Sequence, residues 1–91
     1  MPDKFYMMTA QKDKQTLANV YDDYAQFKKD FSNLKDKLEI KTYLLTPTEE
    51  NEDIIITQLQ NGTYIACLGP KQEIEDKKYI KCQMQEIRPK S

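Results

Sequence analysis

Histidine is absent from this chain, and glycine and cysteine occur only twice each. Without His there is no imidazole general base, no Ser-His or Cys-His nucleophile pair and no common nitrogen ligand for a metal. Two glycines do not build a GxGxxG turn or a P-loop, which excludes nucleotide binding through a Gly-rich cradle. The two cysteines, Cys67 and Cys82, lie too far apart for a zinc site of the CxxC kind. Both fall in strand-like segments, where a free thiol serves as a small core hydrophobe. No apolar run approaches the roughly 18 residues that span a bilayer. The N-terminus also lacks the charged-then-apolar pattern of a secretory signal, so a cytoplasmic protein is expected.

What is present points to one small domain over residues 1–91. Charged residues make up 32% of the chain, but Lys+Arg 14 nearly cancels Asp+Glu 15. No strong field draws phosphate backbones or anionic lipid, and neither direct nucleic-acid nor membrane binding is expected. Lys28, Lys29, Lys35, Lys37 and Lys41 form at most a diluted basic patch, interrupted by Asp30 and Asp36.

Along the chain, Phe5 to Thr9 reads as a short aromatic-rich strand. Asp13 is a plausible N-cap, and no Gly or Pro interrupts the chain from there to Leu38. Leu17, Val20, Tyr24, Phe27, Phe31, Leu34 and Leu38 recur at spacings of three and four, which predicts one long amphipathic helix from Asp13 to Leu38. Such spacing also suits a coiled coil, but aromatic residues at the seam favour packing on a sheet. Asp22 and Asp23 would then point about 100° apart on a solvated face, not converge as a catalytic pair.

Ile40 to Leu45 reads as the next strand, ending at Thr46-Pro47, and Thr48 to Asp53 as an acidic solvated loop. That loop lacks the alternating ligands and central Gly of a calcium site. Ile54–Gln60 and Thr63–Leu68 flank Asn61-Gly62, a strong hairpin signal. A two-residue loop there places Ile55, Leu59, Tyr64, Ala66 and Leu68 on one face and Ile54, Ile56, Ile65 and Cys67 on the other. Both faces are apolar, so a partner, a second copy or a ligand is expected over the face that the helix does not cover. Lys71 to Lys78 reads as a charged connection, and Tyr79 to Ile87 as a half-exposed last strand. The predicted fold is α+β, an antiparallel sheet of four to five strands in β-α-β-β-β-β order with the long helix on one face.

The segment Leu59 to Cys67 resembles the GyrI-like family, which includes the effector-binding domains of MerR-type drug-sensing regulators. Those proteins carry a Gly-x-Tyr hairpin, matched here by Gly62-Thr63-Tyr64. Pro2 to Tyr6 is similar to the family's opening strand, the aromatic helix to its first helix, and Tyr79 to Pro89 to its closing strand. The family's second long helix has no counterpart, because only Gly69 to Lys78 is available for it. Where many members place a Glu facing cationic ligands, this chain has Gln83.

The resemblance implies a ligand- or effector-binding domain, part of a transcriptional regulator, while the missing His, the cysteine spacing and the lack of Gly-rich motifs lead to the expectation of no catalytic residues, cofactor or metal. Tyr6, Tyr43, Tyr64 and Tyr79 would supply aromatic walls for a small apolar or aromatic ligand. Gln83 would complete the ligand site. The other expectation is a protein-binding inhibitor or adaptor that acts through an exposed sheet face. A homodimer is compatible with either.

Overall fold

The computed structural model describes residues 3–50, 53–67 and 79–89. Its elements run β1 (Phe5–Lys12), β2 (Gln15–Tyr21), α1 (Tyr24–Leu34), β3 (Glu39–Pro47), β4 (Ile54–Gln58), β5 (Tyr64–Cys67) and β6 (Tyr79–Ile87). These six strands close into a barrel in the order β1-β2-β5-β4-β6-β3, with every neighbouring pair antiparallel. The predicted α+β sheet under a long helix is therefore replaced by a β-barrel with one short helix.

The first half of the predicted helix is strand. Lys12 pairs with Gln15 across a two-residue turn, Asp13-Lys14, in which Asp13 takes φ 58°. Asp tolerates this left-handed conformation better than most residues, so the chain reverses without Gly or Pro. Beyond the turn Thr16, Ala18 and Val20 share one face and Leu17, Asn19 and Tyr21 the other. β1 presents a complementary strand along the whole of β2. Leu17 and Val20 of the supposed helical stripe thus sit on opposite faces of a strand.

The true helix starts where Asp23 accepts a hydrogen bond from the Ala25 amide (3.0 Å). Its backbone is extended at φ −118°, ψ 115°. The helix ends at Leu34, and the Lys35 amide still bonds back to the Phe31 carbonyl (2.9 Å). Phe27 is the residue it buries fully. That ring stacks on Tyr6 at 5.3 Å and meets the ring of Tyr21 edge-on at 5.7 Å, fixing α1 to the outer face of β1 and β2.

Inside the barrel, Phe5, Met7, Val20, Leu45, Ile54, Ile56 and Cys82 form the core, with Tyr43, Tyr64, Ala66 and Ile80 packed against it. Phe5 and Tyr64 meet edge-to-face at 4.8 Å. Cys82 is buried as expected. It pairs with Pro47 of β3 on one side and Ile54 of β4 on the other, so β6 joins the two halves of the barrel.

The β4–β5 hairpin exists, but its register differs by one residue from the expected one. Leu59 faces Thr63 through an amide-to-carbonyl bond of 2.7 Å, and Gly62 closes the loop at φ +89°. The loop is Gln60-Asn61-Gly62, a three-residue turn whose last residue is left-handed. Asn61 steadies it by accepting from the Thr63 amide (3.0 Å). Because side chains alternate, the slip regroups the faces. Ile54, Ile56, Tyr64 and Ala66 point into the barrel, and Ile55, Thr57 and Ile65 point out. Ile55 and Thr57 are nonetheless buried. Barrel closure covers the face that carries Ile54, Ile56, Tyr64 and Ala66. The expected connection at Lys71 to Lys78 lies outside the described residues, as does Leu68.

Candidate functional site

The five residues expected to form one ligand site occupy different places. Tyr6 is on the outer face of β1 beneath the helix, between Tyr24 at 5.0 Å and Phe27. Tyr43 and Tyr64 are on the inner face, packed into the core. Tyr79 is exposed at the start of β6, beside an open groove of about 590 Å³ with Pro47, Thr48, Glu49, Ile80 and Lys81. Gln83 is exposed opposite Thr46. The sheet separates Tyr6 from Tyr43 and Tyr64, so no common aromatic wall is formed.

Two other features arise from the barrel. The first is a polar mouth. Moving along the inner face from Phe5 and Leu45, the side chains change from apolar to polar. Met7 opposes Tyr43, Thr9 opposes Lys41, and Gln11 opposes Glu39 on one side and Thr16 on the other. Thr9, Gln11, Thr16, Glu39, Lys41 and Tyr43 line a cavity of about 280 Å³. Ligand pockets are commonly about 300–1,000 Å³ and mostly apolar. This mouth is smaller, and mainly polar side chains line it.

The second feature is the exposed side of β2. β2 pairs with β1 from Gln15 to Tyr21 on one edge and has β5 as its neighbour on the other, with Val20 opposite Tyr64. Continued antiparallel, that register runs β5 beside Asn19, Ala18 and Leu17. The side chains of residues 15–19 are all exposed, and Leu17 keeps 52% of its surface in contact with water.

Gln15-Thr16-Leu17-Ala18-Asn19 contains no charge and no Pro, in a chain in which 32% of residues are charged. The charges lie just outside it, with Lys12, Asp13 and Lys14 at one end and Asp22 and Asp23 at the other. Sequence reasoning missed this surface because it assigned the segment to a helix. The visible signal was the uncharged run between two charged corners.

The site offers uncharged polar side chains and one exposed apolar one. Among the described residues, two groups have clearly displaced pKa values, and both are packed into the fold. Burial pushes the Tyr21 hydroxyl up to about 12, helped by its hydrogen bond to Asp30 and by that carboxylate's charge. Burial alone pushes the Cys82 thiol up to about 11. Among the described residues no cluster of His, Cys, Asp and Glu is placed to hold a metal, and no helix is long and apolar enough to cross a membrane. Compared with protein-family profiles, curated proteins and solved structures, the chain matches none of them.

Proposed function

We propose that this domain is a protein-interaction module that binds a partner through the exposed side chains of β2 around Leu17. The observation that carries this is the five-residue uncharged run from Gln15 to Asn19, all of it exposed, with Leu17 keeping 52% of its surface in contact with water. An exposed apolar side chain on an uncharged surface is the kind of anchor that a partner buries on binding. Leu17 lies on the outer face of the sheet, and Thr16 and Ala18 lie on the face of the polar mouth. The effector-sensor alternative is less well supported, because its aromatic residues are divided between two sides of the sheet and the first half of the long helix that entered its GyrI-like resemblance is strand.

Peptides displayed on phage test the proposal. Selected binders should shift the NMR signals of residues 15–19 and should lose roughly tenfold or more in affinity for Leu17→Lys. Binders that map to the polar mouth or to the Tyr79 groove, and that bind Leu17→Lys as well as the native chain, would contradict it.

A further inference from the structure

We infer that the polar mouth of the barrel binds a small zwitterion of the α-amino acid class, with Lys41 taking its carboxylate and Glu39 its ammonium. This goes beyond partner binding at Leu17 and does not depend on it, because Leu17 lies on the opposite face of β2 from Thr16. Alternation along three hydrogen-bonded strands builds the site. Thr9 and Gln11 of β1, Thr16 of β2, and Glu39, Lys41 and Tyr43 of β3 line the cavity of about 280 Å³ from the inner face. Tyr43, packed against the core, forms its inner end. Lys41 opposite Thr9 comes next, and Glu39 opposite Gln11 is outermost.

Three observations select the ligand class. The lining carries one cation and one anion, so a ligand of single charge meets a like charge as well as an opposite one, and a zwitterion matches both. Lys41 and Glu39 are alternate residues of one strand, roughly 7 Å apart along it. An ammonium and a carboxylate held on one carbon reach both through ionic hydrogen bonds of about 2.8 Å. Next, among the described residues, the side chains of these six lining residues are engaged in no hydrogen bond or ion pair. An apolar ligand would strip them of water and return nothing, whereas an amino acid replaces those bonds. Lys41 only donates and Glu39 only accepts, while Thr9, Gln11 and Thr16 do both, which sets the carboxylate toward Lys41 and Thr9 and the ammonium toward Glu39 and Gln11. Finally, the cavity is too small for most drug-sized ligands and suits a molecule of a few heavy atoms.

Isothermal titration calorimetry of the whole chain against a panel of free amino acids tests the site, with amide NMR shifts to locate it. At least one amino acid should bind at millimolar concentration or below, with shifts centred on Thr9, Gln11, Thr16, Glu39, Lys41 and Tyr43. N-acetylation and carboxyl amidation of that ligand should each weaken binding by roughly tenfold, since each removes one ionic hydrogen-bonding group. Glu39 and Lys41 are exposed, so Glu39→Gln and Lys41→Met should remain folded by near-UV circular dichroism. Glu39→Gln should remove most of the penalty of N-acetylation and keep that of amidation, and Lys41→Met should do the reverse. A merely structural role for either residue would not produce that crossed pattern. Leu17→Lys should leave amino acid affinity unchanged, which keeps this test separate from that of the β2 surface. Neither heat nor shifts with any amino acid at millimolar concentration would overturn the inference. Acetylated and amidated ligands that bind as well as the free one, penalties unchanged in both variants, or shifts centred on the Tyr79 groove would overturn it too.

Discussion

Two side chains couple this barrel to alkaline pH through burial. Cys82 and Tyr21 are neutral when protonated and anionic when not, and each has a folded pKa above its unfolded value. Their contribution is fully present below the unfolded values, 9.0 for the thiol and 10.0 for the phenol, and is lost as pH rises through the folded ones. Urea-derived stability should therefore show no loss from these groups up to about pH 9, fall as the thiol begins to ionise in the unfolded chain, and fall further above pH 10. In Cys82→Ala the first part of the decline should flatten. At Gly62, the positive φ favours a residue without Cβ, and Gly62→Ala should lower stability by about 1 kcal/mol in urea unfolding. The role of this Gly was legible from Asn61-Gly62, but the loop length was not. A left-handed Gly completes a three-residue loop as readily as a two-residue one, and the difference turns over every side chain of β5.

For the elements, α1 is held by a cap and one buried ring. Asp23→Ala removes the acceptor for the Ala25 amide and should cost about 1 kcal/mol. Phe27→Ala opens a cavity between α1 and the outer faces of β1 and β2, and should cost about 3–5 kcal/mol in chemical denaturation. Circular dichroism should show helix loss before strand loss in that variant. The C-terminal half of the predicted helix was legible because Tyr24, Phe27, Phe31 and Leu34 do share a helical face. The N-terminal half was not. Leu17 and Val20 extend the same spacing by coincidence, and the turn that reverses the chain from β1 into β2 uses Asp13, not Gly or Pro. The signal that favoured a strand, Thr16, Val20 and Tyr21 ahead of the Asp22-Asp23 corner, is weak by itself and is decided by pairing with β1.

For the whole molecule, closure changes what is open. A flat sheet with two apolar faces needs a cover, whereas a barrel turns one face inward and leaves exposure at its rims and on its outer face. β3 and β6 pair from Thr42 to Pro47, and the opposite seam between β2 and β5 is registered at Val20 and Tyr64. Closure was not legible in the sequence, because it depends on contacts between strands far apart in the chain. It leaves the uncharged side chains from Gln15 to Asn19 exposed. The direct measurement is the affinity of a selected peptide for the native chain and for Leu17→Lys, with near-UV circular dichroism as a check of folding. Binding through β2 predicts a loss of roughly tenfold or more in Leu17→Lys. Equal affinity for the two chains would contradict it.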